Sequence, residues 1–178
     1  YRSSKRLCNY ACFRGNDLHV YCDETRPLLQ GARLSAYEMQ AAGIDTYVQC
    51  DNMASYTMKE GKVGIIFVGC DRVAANGAFA KHYGIPFYVC APSSTIDMTL
   101  ESGDEIHIEQ RKGEEVTEMW YEKRMAPEGV GVVNPAFDVT DHSLVTGIIT
   151  EKGIAYEPFK ESFEKMGIKP VEKFVDKK

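Results

Sequence analysis

The sequence predicts an α/β fold in which a parallel β-sheet is flanked by helices. Four short apolar runs alternate with segments whose apolar residues recur near helical spacing, and a polar cluster follows each run. The run from Val63 to Val68 combines β-branched and aromatic residues between glycines, which is typical of a strand buried on both faces. The alternation of such runs with helical segments predicts βαβ units and therefore a doubly wound parallel sheet.

The first half of the chain supplies two strands, each followed by a helix. The first predicted strand, Leu18–Cys22, leads into apolar residues at helical spacing up to Gly43, a plausible helix C-cap. The second predicted strand is Thr46–Cys50, after which Asp51 or Asn52 is placed to cap a short helix.

The second half repeats this order once and then becomes irregular. The predicted strands Val63–Gly69 and Pro86–Ala91 enclose a short helical piece around Ala78–Tyr83. Beyond the fourth strand, residues 96–118 are polar and acidic, and residues 125–139 are loop-like, with several glycines and prolines. A helix is predicted from Asp141, as its N-cap, through Ile149.

The length and composition are ordinary for a globular protein of one domain or two small ones. The chain has 178 residues, of which 44% are hydrophobic and 26% charged, and its formal net charge is −5. The sequence contains no large basic patch, so nucleic-acid binding is not predicted. No apolar stretch is long enough for a membrane span. The basic start lacks both Met and the apolar core of a signal peptide. We therefore expect a cytoplasmic protein whose N-terminus is processed or belongs to a longer chain.

Six cysteines favour buried thiols in a reducing compartment over disulfides or metal ligands. Cys8 and Cys12 are separated by three residues, and no second Cys or His pair follows nearby, so a zinc site is not predicted. No GxGxxG or Walker pattern follows the first strand. We therefore expect neither a metal nor a nucleotide cofactor.

Polar clusters after the four strands mark the expected ligand site, because the carboxyl ends of parallel strands form one edge of a sheet. These clusters are DETRP (23–27), Asp51-Asn52, Cys70-Asp71-Arg72 and Ser93-Ser94-Thr95. A helix cap is the favoured interpretation for Asp51, and a cap or turn is favoured for Ser93–Thr95. Glu24 and Arg26 are expected to pair with each other.

Asp71 and Gln30 are the residues most suited to chemistry at that edge. An acid at the end of an apolar strand is partly desolvated, which raises its pKa unless Arg72 compensates, and this suits general acid–base catalysis. The alternative for Asp71 is a structural contact with Arg72 or the backbone. Gln30 and Arg33 could present an amide and a guanidinium to a polyol phosphate, or Gln30 is a plain polar helix residue.

Six stretches of the chain resemble one known family. They read VYCDETRPLLQGARLSAYEM, VGCDRVAANG, KHYGIPFYVCAPSSTID, SGDEIHIEQRKGEEVT, APEGVGVVNPAFDVT and GIITEKGI. In order and wording they are similar to the C-terminal domain of the methylthioribose-1-phosphate isomerases. That family belongs to a superfamily with the regulatory alpha, beta and delta subunits of eukaryotic initiation factor 2B. The resemblance implies one Rossmann-like domain over residues 1–178, with a sheet flanked by helices.

The resemblance also implies a reaction and its residues. 5-Methylthioribose 1-phosphate would become 5-methylthioribulose 1-phosphate in methionine salvage, without a cofactor. Asp71, which corresponds to the aspartate of the family's GADR motif, and Cys8, the candidate match to the cysteine of its HCN motif, would be catalytic. Gln30, Asn9 and Asn76 would bind substrate. The alternatives are a non-catalytic subunit of the initiation factor 2B type and an isomerase for another sugar phosphate.

The sequence departs from the family pattern in three places. The glycine-rich stretch expected after HCN, the DTANKIGT-type segment expected after Asn76-Gly77, and the N-terminal helical domain are all missing. The resemblance further implies a homodimer formed through this domain. Apolar residues suited to that interface, or equally to the core, are Val132, Val133, Phe137 and Ile148.

Overall fold

The computed structural model describes residues 17–69, 80–96, 98, 108–137 and 139–168. These residues form two compact units. The two-strand unit consists of residues 17–62 and 108–137, and the four-strand unit consists of residues 63–69, 80–96, 98 and 139–168.

The two-strand unit is built on a parallel pair of strands, with His19 opposite Asp45 and Asp23 opposite Gln49. A π-helical turn leads into the helix that connects the two strands. In chain order the elements are β1 (His19–Asp23), the π-helix (Gly31–Ser35), α1 (Ala36–Ala41), β2 (Asp45–Gln49), a 3₁₀-helix (Asp51–Met53), α2 (Ala54–Lys59) and α3 (Glu114–Thr117).

The βαβ unit predicted from the sequence is therefore present. Both predicted strands lie within one residue of the observed ones. Gly43 follows α1 with a φ of +77°, the left-handed conformation in which glycine commonly ends a helix. Met39 and Ile44, on either side of this turn, are buried. Their burial fixes the helix against the start of β2.

The four-strand unit contains a mixed sheet in the order β3-β4-β5-β6. The first three strands are parallel, and β6 returns antiparallel to β5. The elements are β3 (Ile66–Gly69), β4 (Phe87–Cys90), a 3₁₀-helix (Ser93–Thr95), a second 3₁₀-helix (His142–Leu144), β5 (Gly147–Thr150), β6 (Gly153–Ala155) and α4 (Phe159–Lys165). Residues 80–82 are also helical, as the sequence predicts.

The helix predicted from Asp141 through Ile149 is wrong beyond its first turn. Asp141 does act as a cap, since its carboxylate accepts the backbone N–H of Ser143 at 2.7 Å, but the helix ends at Leu144. The following residues form β5 because Ile148 and Ile149 pair with β4 on one side and β6 on the other. Two pairing partners outweigh the weak helical preference of β-branched residues.

The sequence places all four predicted strands in one sheet, whereas backbone hydrogen bonds in the described residues divide them between two sheets. Within each pair the parallel pairing is as predicted. The carboxyl ends of β1 and β2 therefore meet at one edge, and those of β3, β4 and β5 meet at another. The α/β class, with mostly parallel strands and flanking helices, is confirmed.

The core of the four-strand unit consists of two buried clusters. Ala80, Phe87 and Val89 form one buried cluster, while Ala155 and Phe163 belong to a second. Ile148 packs against both clusters, so of the residues suited to core or interface it belongs to the core.

Phe87→Ala is expected to destabilise the four-strand unit by about 3–5 kcal/mol, because a large, fully buried ring leaves a cavity. Phe87 is 1% exposed. Ile65→Ala is the control: Ile65 is 46% exposed, and its loss should cost about 0.5 kcal/mol or less. Urea unfolding of both variants measures the difference. Equal free energies of unfolding would show that Phe87 is not a core residue.

Among the described residues, no helix has the length and apolar character required to cross a bilayer.

Candidate functional site

The loop that follows β1, residues 24–30 and here called the β1 loop, is held by Asp51 at the end of β2. One carboxylate oxygen of Asp51 accepts the backbone N–H of Thr25 at 2.8 Å, and the other accepts that of Arg26 at 2.7 Å. Charge-assisted hydrogen bonds of this kind are stronger than those between neutral groups. The carboxyl ends of the two strands are therefore tied together by one side chain.

This contact overturns the interpretation of Asp51 as a helix cap. The N-cap position of the 3₁₀-helix is occupied by Cys50, and no side chain caps that helix. The carboxylate turns instead to a loop that lies 25 and 26 residues earlier in the chain. Sequence patterns report neighbours along the chain, so they favoured the local partner.

Close packing beneath the β1 loop explains why Gly31 occupies its position. A Cβ atom on Gly31 would lie 1.7 Å from the carbonyl oxygen of Asp23 and 2.7 Å from Oγ1 of Thr25. Thr25 and Leu29 have φ values of +63° and +56°. Left-handed backbone is uncommon for residues other than glycine and is associated with functional sites. The loop is thus tightly built rather than a loose connection.

An open cleft of about 640 Å³ lies beside the β1 loop, within the two-strand unit. One part of its lining is polar and acidic, and the other part is apolar or aromatic. The lining residues are Glu24, Arg26, Leu29, Cys50, Asp51, Asn52, Trp120 and Tyr121. A cleft with both kinds of wall suits a small polar ligand that carries an apolar group.

The aromatic wall comes from Trp120 and Tyr121, for which the sequence pattern predicted no role. Trp120 donates its indole N–H to the carbonyl oxygen of Pro27 at 2.9 Å, and the guanidinium of Arg33 lies 4.4 Å from the centroid of its ring. Trp120 also has a φ of +74°. The adjacent pair Trp120-Tyr121, which includes the only tryptophan in the chain, was the feature of the sequence that could have indicated this wall.

Arg26 does not pair with Glu24, contrary to the expectation from the sequence. Its guanidinium donates to the carbonyl oxygen of Val116 at 2.8 Å and lies 5.4 Å from the centroid of the Tyr121 ring. A guanidinium commonly stacks on an aromatic face in this way. Arg26 therefore connects the β1 loop to the segment that provides the aromatic wall.

Cys50 lines the cleft as a protonated thiol. The negative charge of Glu24 raises the pKa of Cys50, and burial together with a hydrogen bond to Glu24 acts in the same direction. A thiol with a raised pKa is a poor nucleophile at neutral pH. Of the other cysteines described, Cys22 and Cys90 are buried, as expected. In the described part of the chain, no group of three His, Cys, Asp or Glu residues could hold a metal ion.

Of the predicted site residues, the structure describes Gln30. It immediately precedes the π-helix, is half-buried and follows Leu29, which lines the cleft. Asp71, Cys8, Asn9 and Asn76 lie outside the described residues.

At the carboxyl edge of the four-strand unit, a carboxylate side chain also joins the ends of two strands. Glu151, just after β5, accepts the backbone N–H of Ser93 at 2.9 Å and also accepts the Ser93 hydroxyl. These hydrogen bonds lower the pKa of Glu151. Ser93 begins the 3₁₀-helix after β4, and Thr95 donates its hydroxyl to the carbonyl oxygen of Pro92 at 2.8 Å. The turn predicted for Ser93–Thr95 is confirmed.

Glu151→Gln is expected to lower the melting temperature slightly at neutral pH and to have no effect in acid. A carboxyl whose pKa is lowered by folding stabilises the protein above its unfolded-state pKa, and this contribution disappears as the pH falls through the folded-state pKa. Melting curves of both proteins between neutral and acidic pH provide the measurement. A difference that persists below the carboxyl range would contradict the assignment.

The sequence of this chain is similar to one protein family and to several enzymes named as isomerases. The model of the initiation factor 2 subunit family matches residues 5–157. A methylthioribose-1-phosphate isomerase of Symbiobacterium thermophilum is 60% identical over 165 residues, which are 86% of this chain and 46% of that protein. A 5-deoxyribose 1-phosphate isomerase of Petrotoga mobilis is 52% identical over 165 residues, covering 86% of this chain and 47% of that protein.

Two solved structures share the architecture. The crystal structure of 5-methylthioribose 1-phosphate isomerase from Pyrococcus horikoshii aligns with a TM-score of 0.83 at 42% identity, over 90% of this chain and 48% of that chain. Subunit delta of translation initiation factor eIF-2B from A. fulgidus aligns with a TM-score of 0.84 at 35% identity, over 90% and 50%. The chain thus spans about half the length of the relatives it matches.

Proposed function

Because this chain belongs to the initiation factor 2 subunit family, we propose that it forms part of a sugar-phosphate isomerase. The proposed reaction converts 5-methylthioribose 1-phosphate into 5-methylthioribulose 1-phosphate, a step of methionine salvage. The observation that carries the proposal is the 60% identity to a protein named for this substrate.

The reaction rearranges hydrogen without net oxidation. The ring bond between C1 and the ring oxygen breaks, and that oxygen gains a proton. C2 loses its hydrogen, C1 gains one, and the C2 hydroxyl becomes a carbonyl while the phosphate stays on C1. Atoms and electrons balance within the substrate, so the reaction consumes no external oxidant or reductant. The catalyst needs groups that donate and accept protons at defined positions.

In this proposal Asp71 and Cys8 exchange protons with the sugar, while Gln30, Asn9 and Asn76 hold it. The resemblance of the surrounding sequence motifs to those of the isomerase family supports these roles. For Gln30 there is also structural support, because the residues on either side of it are fixed: the N–H of Leu29 donates to the carbonyl oxygen of Thr25 at 2.8 Å, and Gly31 is buried against Asp23.

The lining of the cleft supports the proposal of a substrate that has a polar part and an apolar part. Glu24 and Asn52 offer acceptors and donors suited to sugar hydroxyls. Leu29 and Trp120 offer apolar surface suited to a methylthio group, because thioethers contact aromatic rings favourably.

Two other functions have specific observations in their favour. The Petrotoga mobilis relative is named for 5-deoxyribose 1-phosphate, which lacks the thioether, so another sugar phosphate is the second candidate. The likeness to an eIF-2B subunit delta supports a non-catalytic assembly subunit as the third.

We also propose a homodimer in the cytoplasm. Val133 is 84% exposed and Phe137 is 41% exposed, so both remain available for an interface, whereas Val132 is half-buried. A contiguous patch that included these side chains would be typical of a surface that associates.

The test is a comparison of kcat/KM for 5-methylthioribose 1-phosphate and 5-deoxyribose 1-phosphate with the full-length protein. The proposal predicts turnover of both, with the thioether substrate preferred by about 10-fold or more, the discrimination that one apolar group commonly provides. A preference for the deoxy sugar would favour the second candidate. No turnover by folded protein would favour the assembly subunit.

A further inference from the structure

The contact between Asp51 and the β1 loop joins one carboxylate to two neighbouring backbone groups. Two consecutive backbone N–H groups, of Thr25 and Arg26, point at the two oxygens of one carboxylate at 2.8 and 2.7 Å. Consecutive amides that converge on one anion form a concave anion-binding backbone arrangement. We propose that Asp51 is a positioning residue that sets the β1 loop and, through it, the amide of Gln30; this rests on the proposed function.

The β1 loop needs an external anchor because its backbone is strained. Thr25 has a φ of +63°, and such a conformation is unusual for a β-branched residue. Strained residues persist only where the surrounding structure fixes them. The carboxylate of Asp51 supplies that fixation, since it satisfies the N–H of Thr25 itself and that of the next residue.

The fixed backbone reaches Gln30 through short hydrogen-bonded steps. The carbonyl oxygen of Thr25 accepts the N–H of Leu29 at 2.8 Å, and the carbonyl oxygen of Glu24 accepts that of Ala32 at 3.3 Å. Gln30 lies between these two anchored residues, and Gly31 next to it has no room to move toward Asp23. A displacement of Thr25 is therefore passed to Gln30.

Asp51→Asn is the first test. The amide keeps the shape of the carboxylate, but its NH₂ group would face one of the two backbone donors. We expect kcat/KM for 5-methylthioribose 1-phosphate to fall about 10- to 100-fold, the size of effect that a small misplacement of a binding group produces. The matched control is Asp45→Asn, at the opposite end of β2, which should stay within about twofold of wild type.

A double-mutant cycle separates positioning from a merely structural role. If Asp51 acts through Gln30, Asp51→Asn should cost less than about twofold once Gln30→Ala is present, because coupled residues are not additive. Adding Thr25→Gly to Asp51→Asn should recover part of the activity, since glycine adopts the left-handed conformation without an anchor. Effects of Asp51 and Gln30 that multiply, or no loss in Asp51→Asn, would overturn the proposal.

Hydrogen exchange keeps this inference separate from the proposed function. The backbone amides of Thr25 and Arg26 should exchange faster in Asp51→Asn than in wild type, with or without substrate. Unchanged exchange would overturn the inference even in an active enzyme, whereas absent turnover by wild type would instead remove the proposed function. If Asp51→Asn does not fold, each of these experiments uses Asp51→Glu instead. The extra methylene of glutamate displaces both acceptor oxygens.

Discussion

Gly31→Ala is expected to destabilise the two-strand unit by about 3 kcal/mol, the upper end of the usual cost of overpacking, and to abolish any activity that depends on Gln30. The added Cβ would lie 1.7 Å from the carbonyl oxygen of Asp23, a backbone atom that cannot rotate away. Relief requires the end of β1 and the start of the π-helix to separate, and backbone shifts of this kind are costly. Urea unfolding and the isomerase assay both measure the effect.

Gly131→Ala is the matched control in the same unit. No atom lies within 4 Å of the position that its Cβ would take. Its free energy of unfolding should stay within about 0.5 kcal/mol of wild type. If Gly31→Ala were as stable and as active as this control, the close packing of the β1 loop would be wrong.

Asp71→Asn is expected to lower kcat by about 10²- to 10⁴-fold, the contribution typical of a general acid or base. Asparagine keeps the size of the side chain but cannot exchange the proton. Because the proposed role is chemical, substrate binding and the melting temperature should change little. Steady-state kinetics of the full-length variant provide the measurement.

Glu164→Gln, an exposed acid on α4, serves as the control for Asp71→Asn and should leave kcat within about twofold of wild type. Turnover by Asp71→Asn close to that of wild type would exclude Asp71 from the chemistry while leaving the isomerase proposal in place.

The strands were predictable because their signals are local. β1 and β2 are short apolar runs closed by polar turns, and β4 follows a Gly-Ile-Pro turn. β5 was missed because Leu144, Val145, Ile148 and Ile149 also fit a helical period, and the pairing that decides against it involves residues from a distant strand. The division into two sheets is likewise set by pairing that no local pattern reports.

The sequence predicted the location of the candidate site, at the carboxyl ends of parallel strands, but not the hydrogen bonds and ring contacts within it. The polar clusters after β1 and β2 do meet, as parallel strands require. The partners of Asp51 lie 25 and 26 residues away, and the carbonyl that Arg26 contacts lies 90 residues away. Such contacts depend on the folded chain, so the sequence favoured a helix cap for Asp51 and an ion pair for Arg26.

The central claim is tested most directly by carbon NMR of 5-methylthioribose 1-phosphate labelled with ¹³C at C2 and incubated with the full-length protein. The account predicts that the C2 signal moves from the region of hydroxyl-bearing carbons to that of ketones, with the phosphate still on C1. An unchanged spectrum in the presence of folded protein would contradict it.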